Sequence, residues 1–363
     1  MKTIPFFTLE REYGERKKSI DTALQRVVQS QQFILGHEGE LFEKEFASYL
    51  GARYAVGVAS GTDGLVLALH ALGIGPGDEV ITQSNSFVAT AEAVAIVGAT
   101  IVFADIDANT YQLDIQNLTK KITKKTKVIL PVHMYGAPAP MNEILALAKK
   151  HSLFVIEDAC QAHGALYGKK KLGTIGDIGV FSFYPSKNLG AYGDAGCVVT
   201  SSTRLHKRIA MMRNHGQNHK YIHEIKGINS RLDEIQAAVL RVKLTWLDVV
   251  NSEHRKAAAR YRSLLTVQSQ EILPAGESNF YVFVIQVQKR DQLQRFLLQK
   301  GIQTLIHYPV PIHLQKPFSR GYKKGSLPAT EYLAESCLSL PLFPGIRDDE
   351  IFEVCKQINA FYA

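Results

Sequence analysis

Between residues 54 and 200, short apolar runs alternate with longer stretches whose apolar residues recur every three or four positions. The short runs are rich in β-branched and aromatic residues. They predict strands at residues 54–59, 79–82, 100–104, 128–132, 154–157, 180–183 and 197–200. The longer stretches predict helices at 63–72, 87–97 and 141–151. Strands separated by helices pair mostly in parallel, so the pattern implies an α/β fold whose ligands bind beyond the carboxyl ends of the strands. A helical pattern then persists from Arg231 to Leu265. A strand at 280–287, a helix at 291–300 and a last helix at 348–362 follow it. This predicts a large domain over 1–250, with an N-terminal arm, and a smaller α+β domain over 251–363 hung on a long connecting helix.

The chain has 363 residues, 46% of them hydrophobic, enough to bury one large core and a second, smaller one. No apolar run is long enough to span a bilayer, and Met1-Lys2-Thr3-Ile4-Pro5 lacks the apolar stretch of a secretion signal. The four cysteines (Cys160, Cys197, Cys337, Cys355) are scattered, with no two at metal-ligand spacing. Together these features point to the cytoplasm, with no membrane partner. The net charge of +8 suits an anionic ligand but does not select nucleic acid. The densest basic run, residues 120–127, has no aromatic residues interleaved to stack bases and reads as a solvated face.

Several residues at expected strand ends and helix starts can do chemistry. Lys187 follows an apolar strand that Pro185 ends, and small residues surround it; a solvent-facing loop lysine would look the same in isolation. Asp158 ends another apolar strand, where a carboxylate is poorly solvated unless a cation meets it; capping a helix from Ala159 is its ordinary alternative. Ser60-Gly61-Thr62-Asp63 opens a helix directly after a strand. Its backbone N–H groups can seat a phosphate, or the motif can simply cap the helix. Ser182 can add a hydroxyl from the lysine-bearing segment, or be a polar residue in a half-buried strand. Phe87 can cover a flat ring, or be core. Gln161, three places after Asp158, places a neutral amide nearby, whereas His163 reads as structural. Taken together, these residues meet the needs of pyridoxal phosphate: an amine for the aldehyde, a carboxylate for the pyridine nitrogen, donors for the phosphate and a flat partner for the ring.

Other motifs fail. Gly73-Ile74-Gly75-Pro76-Gly77 follows a helix and carries a proline, so it is a turn and not a dinucleotide fingerprint. No HExxH or Walker-type loop is present. His215, His219 and His223 fall at i, i+4 and i+8, but glycine and polar residues interrupt that stretch, which reads as a loop near the site and not as a metal face.

The ordered set Ser60-Gly61-Thr62, Gly75-Pro76-Gly77-Asp78-Glu79-Val80-Ile81, Pro131-Val132-His133-Met134-Tyr135-Gly136, Glu157-Asp158-Ala159-Cys160-Gln161-Ala162-His163-Gly164, Lys187-Asn188-Leu189-Gly190 and Arg213-Asn214-His215-Gly216 resembles the DegT family of sugar aminotransferases, of the aspartate-aminotransferase (type I) pyridoxal-phosphate fold. The likeness covers nearly the whole chain. It implies Lys187 as the Schiff-base lysine and proton shuttle, Asp158 as the partner of the pyridine nitrogen, and Phe87 and Gln161 as ring contacts. Gly61, Thr62 and Ser182 are implied as phosphate ligands. Asn229 matches an asparagine that reaches the phosphate of a neighbouring subunit, which implies a homodimer with shared active sites. Arg231, His307 and Tyr308 resemble positions that contact the sugar nucleotide or the amino donor. Within the family the chain is most similar to dTDP-3-keto-6-deoxyhexose 3-aminotransferases. That implies transfer of the amine of L-glutamate to a dTDP-linked keto-sugar, giving a dTDP-3-amino-3,6-dideoxyhexose. C4 amination and a non-catalytic regulatory role are the alternatives within the family. Relatives that remove a C3 hydroxyl carry histidine at the lysine position, unlike Lys187 here. Cys160 stands where the family commonly has alanine.

Overall fold

Side chains alternate between the two faces of a strand, and here both faces of the main sheet are buried. Val56, Val58, Val80, Val128, Leu130, Ile156, Ile178, Val180 and Val198 enter one core with the helix Gly61–Leu72. Their neighbours face the other way, into two further clusters: Ala55, Phe181, Cys197 and Val199 into one, Ile81, Ile129 and Val155 into the other. A computed structural model describes residues 3–363. Its seven-stranded sheet has the order Tyr54–Val58, Gly196–Thr200, Ile178–Ser182, Phe154–Asp158, Thr126–Leu130, Glu79–Gln83, Thr100–Ala104. Gly196–Thr200 is antiparallel to both its neighbours, and the other pairs are parallel, so six strands end at the same edge.

The α/β expectation holds, with local differences that have physical causes. The strand expected at 128–132 is Thr126–Leu130, because Pro131 cannot donate to the ladder and Val132 keeps only an isolated bridge to Asp158. The helix expected from residue 87 is Ala89–Ile96, which leaves Phe87 in the turn before it. The single helical stretch expected from 231 to 265 is two helices, Glu234–Leu244 and Leu247–Leu264, broken at Thr245 and Trp246. The strand expected at 280–287 shortens to Phe283–Gln286, and Phe280 has a positive φ of 47°. Two helices at the N-terminus, Glu10–Ser30 and His37–Leu50, have no counterpart in the expectations.

The C-terminal third builds its own core. A three-stranded antiparallel sheet of Gln268–Ser269, Phe283–Gln286 and Cys337–Leu340 packs with the helices Arg290–Gln299 and Asp348–Tyr362 around Phe283, Ile285, Leu293, Leu297, Leu340 and Val354. Val250, the expected boundary, lies inside the helix Leu247–Leu264, whose Ala257, Ala258 and Tyr261 belong to this core. Ile4 joins the same core and bridges Ile302. No helix among the described residues is long and apolar enough to cross a membrane.

Candidate active site

The common carboxyl edge of the six co-directional strands gathers most of the chemistry. Asp158 is the last residue of Phe154–Asp158 and Ser182 the last of Ile178–Ser182. By the two-residue period they share the face of Ile156 and Val180, the face that the helix Gly61–Leu72 covers. That helix starts three residues after Tyr54–Val58 ends, with Ser60 as its cap: the Ser60 hydroxyl accepts from the Asp63 N–H at 3.1 Å. The first-turn N–H groups at Gly61 and Thr62 have no acceptor within the helix. Gly61 is required by close approach, since a Cβ there would lie 2.8 Å from Ser182 Cβ and 2.9 Å from Cys160 Sγ. Gly61, Ser182 and Cys160 therefore touch.

Asp158 is 5% exposed and accepts two hydrogen bonds, from Thr90 Oγ1 at 2.9 Å and from the Cys160 N–H at 3.2 Å. No helix starts at Ala159, so the capping alternative does not apply. An ionised carboxylate has about four acceptor positions, which leaves Asp158 unsaturated in a nearly dry place. Its neighbour Glu157, on the opposite face and fully buried, is saturated instead. His133 Nε2 donates to it at 2.9 Å, and so do the N–H groups of Gly173, Ile175 and Gly176 at 2.9, 2.6 and 2.7 Å. The His133 tautomer follows, because Nδ1 accepts from the Ala139 N–H at 3.1 Å. Burial alone would push the Glu157 carboxyl up. The His133 bond and the backbone donors outweigh it and hold the carboxyl below its ordinary value.

Lys187 lies in the loop after Ile178–Ser182, its N–H donating to the Tyr184 carbonyl at 2.8 Å. Its amine sits 4.1 Å from the centre of the Tyr281 ring, and Tyr281 OH lies 3.1 Å from Ser186 Oγ. The charge of Lys187 acts on three neighbours. Burial pushes the Cys160 thiol well up, Asp158 adds to that and Lys187 opposes it. His163 is pushed down to about 3 and His307 to about 4, by burial first and Lys187 second. His163 packs between Phe181 and Phe183 in a fully buried position, in line with the structural reading.

Gln161 is clamped. Its Oε1 accepts from the Tyr135 N–H at 2.7 Å and its Nε2 donates to Tyr308 OH at 3.4 Å. Burial pushes the Tyr308 hydroxyl well up. Tyr308 stands 5.8 Å, centre to centre, from Phe87. His307 bonds Ser339 through Nδ1 at 2.9 Å, and its carbonyl accepts from Tyr135 OH. Phe87 is 55% exposed, so it is not a core residue.

The structure thus brings together Gly61 with Ser182, Asp158 with the turn that carries Phe87, and Gln161 with Tyr308, around the loop of Lys187. Asn229 and Arg231 stand apart from this group. Asn229 is exposed and bridges Asn214, and Arg231 donates to Asn214 Oδ1 at 3.3 Å. Between them the buried Ser230 accepts from the Ala59 N–H at 3.1 Å, which anchors the segment beside the Ser60 turn. Exposed apolar side chains cluster near it: Ile228, Ile235 and the segment Phe33, Ile34 and Leu35, tied on by the Ile34–Asp233 bridge. His219 and His223 sit in a two-stranded ribbon. No group of three or more His, Cys, Asp or Glu side chains among the described residues could hold a metal ion. The sequence assigns no role to Thr90, Tyr135 or Tyr281, although Tyr135 stands in one of the family-like blocks. Thr90 has a local signal as well, four residues after Ser86 and three after Phe87.

These residues fit pyridoxal phosphate. Asp158 keeps acceptor positions for a ring N–H, the helix start beside Ser182 offers donors to a phosphate, and an exposed aromatic ring stands close by. A family model described as the DegT/DnrJ/EryC1/StrS aminotransferase family matches residues 15–359. The chain is 45% identical over 359 residues to the UDP-N-acetyl-3-dehydro-alpha-D-glucosamine 3-aminotransferase of Acidithiobacillus ferrooxidans, covering 98% of this chain and 97% of that protein. It is 44% identical over 361 residues to the dTDP-3-amino-3,4,6-trideoxy-alpha-D-glucose transaminase of Streptomyces venezuelae, covering 98% of this chain and 95% of that protein. The crystal structure of S. venezuelae DesV in complex with a ketimine intermediate matches with a TM-score of 0.97 at 42% identity, over 99% of both chains.

Proposed function

The chain belongs to the DegT/DnrJ/EryC1/StrS aminotransferase family, and from that premise we propose that it moves the amine of L-glutamate to the C3 keto group of a dTDP-linked 6-deoxy-hexulose. The enzyme is a pyridoxal-phosphate aminotransferase, as its family and the solved neighbours with bound cofactor imply. The observation that carries the reading is the unsaturated, nearly buried Asp158 on the same sheet edge as the Lys187 loop. The two relatives above carry C3 chemistry in their names, one on a UDP-sugar and one on a dTDP-sugar. That supports position 3 more firmly than the nucleotide.

When bound, the cofactor supplies an aldehyde that takes up the amine and a protonated ring that accepts the electrons of the breaking C–H bond. The chain's own residues do the rest. Lys187 Nζ would hold the cofactor at rest and, once released from it, would be the amine that takes up and returns the α-proton of glutamate, and that serves the keto-sugar in the same way. Asp158 would keep the ring nitrogen protonated. Gly61, Thr62 and Ser182 would seat the phosphate, Phe87 and the clamped Gln161 would fix the ring plane, and Arg231, His307 and Tyr308 would meet substrate. Glutamate leaves as 2-oxoglutarate, and the sugar carbonyl oxygen leaves as water.

The exposed apolar cluster around residues 33–35, 228 and 235 suits burial against a second copy. In such a homodimer Asn229 completes the phosphate seat of the partner subunit. The part over 1–250 carries the cofactor, and the part over 251–363 contributes Tyr281, His307 and Tyr308 to the mouth. Four free cysteines suit a reducing compartment, the cytoplasm. The test is an amine-transfer assay with glutamate that compares dTDP-linked 3-keto and 4-keto 6-deoxy sugars and a UDP-linked 3-keto sugar. Turnover confined to the dTDP 3-keto compound is expected. Preference for a 4-keto or UDP-linked acceptor overturns the substrate assignment, and no transfer to any of them overturns the reading as a sugar aminotransferase.

A further inference from the structure

We propose that Thr90, backed by Ser86, is a positioning residue that holds the Asp158 carboxylate aimed at the ring nitrogen. Thr90 is in the first turn of Ala89–Ile96, where a threonine hydroxyl ordinarily bonds back to a carbonyl of its own chain. Here it crosses instead to Asp158 Oδ2 at 2.9 Å, and Ser86 Oγ lies 2.7 Å from Thr90 Oγ1. All three residues are buried, at 4%, 1% and 5% exposure for Ser86, Thr90 and Asp158.

The direction of this chain follows from proton counting. An ionised carboxylate only accepts, so Thr90 must donate to it. Having spent its single proton, Thr90 Oγ1 then accepts from Ser86. The hydroxyl dipoles therefore align towards the carboxylate and stabilise its charge, each polarising the next. The Cys160 N–H holds the other oxygen, so the carboxylate plane is pinned at both ends and its remaining acceptor positions keep one orientation. The Thr90 N–H also donates to the Phe87 carbonyl at 3.2 Å, so the residue that fixes the carboxylate also closes the turn bearing the ring-covering aromatic. Lys187, Cys160 and Tyr308 are the other titratable groups near Asp158. Cys160 is pushed towards its neutral thiol and Tyr308 towards its neutral phenol, and the hydrogen bonds that orient the carboxylate come from the Ser86–Thr90 chain and the Cys160 N–H.

The inference rests on Asp158 being the partner of the ring nitrogen, and the experiment separates the two. Holoenzyme is loaded with cofactor carrying ¹⁵N at the ring, and its nitrogen signal is compared among wild type, Asp158→Asn, Thr90→Val, Thr90→Ser and Ser86→Ala, with melting of each protein as the control for folding. Asp158→Asn is expected to move the signal to that of an unprotonated pyridine. Thr90→Val, which keeps the shape and loses the donor, is expected to move it part of the way and to slow the glutamate half-reaction about tenfold, the cost of one charge-assisted bond. Thr90→Ser restores both. Ser86→Ala gives a smaller shift in the same direction, about threefold in rate. If Asp158→Asn matches wild type, the assignment of Asp158 itself falls. If Asp158→Asn moves the signal while Thr90→Val and Ser86→Ala match wild type, the positioning role falls and the assignment stands. Should Thr90→Val not fold, Ser86→Ala decides alone.

Discussion

Two carboxylates sit side by side at the end of one strand and face opposite sides of the sheet. Glu157 meets four donors and no solvent, and every acceptor position it has is used inside the fold. Asp158 meets two donors and ends its strand at the same sheet edge from which the Lys187 loop leaves. A single step in register thus separates a carboxylate that holds loops together from one with capacity left for a ligand. Burial and charge hardly distinguish the pair; the number of unused acceptor positions does.

Substitutions should divide along the same line. The largest effect lies on the open side: Lys187→Ala should lower amine transfer by about 10⁴-fold, the upper range for a positioned proton-transfer group, with the melting temperature of the apoprotein unchanged. A lysine variant that retained a tenth of the activity would remove the proton shuttle from the account. Asp158→Asn should cost about 10²–10³-fold in rate, the scale of one preorganised electrostatic contact, again with little loss of stability. Glu157→Gln should do the opposite. It places an NH₂ group against donors and should cost about 3 kcal/mol of stability in chemical denaturation, while the folded fraction retains activity within a few-fold. If Asp158→Asn melted early and Glu157→Gln lost activity at full stability, the comparison would be reversed.

Smaller effects sharpen the contrast. Gly61→Ala must push against Ser182 and Cys160; it should weaken cofactor binding about tenfold by fluorescence titration, within the range of overpacking costs. Unchanged affinity would move the phosphate seat elsewhere. The Glu157 carboxyl is held below its ordinary value of 4.5, so on acidification the unfolded chain takes up this proton before the folded one does. Its contribution to stability is therefore complete above about pH 4.5 and declines as the pH falls through the lowered folded value. Denaturation midpoints between pH 3 and 6 should show that slope in wild type and a flatter one in Glu157→Gln.

Regular segments were legible where the pattern was local. The strand Thr100–Ala104 and the helices Met141–His151 and Asp348–Tyr362 lie at the residues their periodicity marks. The break at Thr245 and Trp246 carries neither glycine nor proline, so no local signal separates Glu234–Leu244 from Leu247–Leu264. Asp158 and Lys187 could be singled out because a strand end is a special place for a charge. The difference between Asp158 and Glu157 could not, since it depends on donors from His133, Gly173 and Thr90, 16 to 68 positions away in the chain. Tyr281 meets Lys187 only through the tertiary fold. Phe87 resembled core because its neighbours are apolar, yet the helix starts two residues later and leaves its ring outside.

The most direct test of the account is the site of cofactor attachment. Purified holoenzyme is reduced with borohydride, digested, and its peptides weighed by mass spectrometry. The phosphopyridoxyl mass should appear on the peptide containing Lys187 and on no other. Attachment at a different lysine, or none in protein that has been supplied with cofactor, would contradict it.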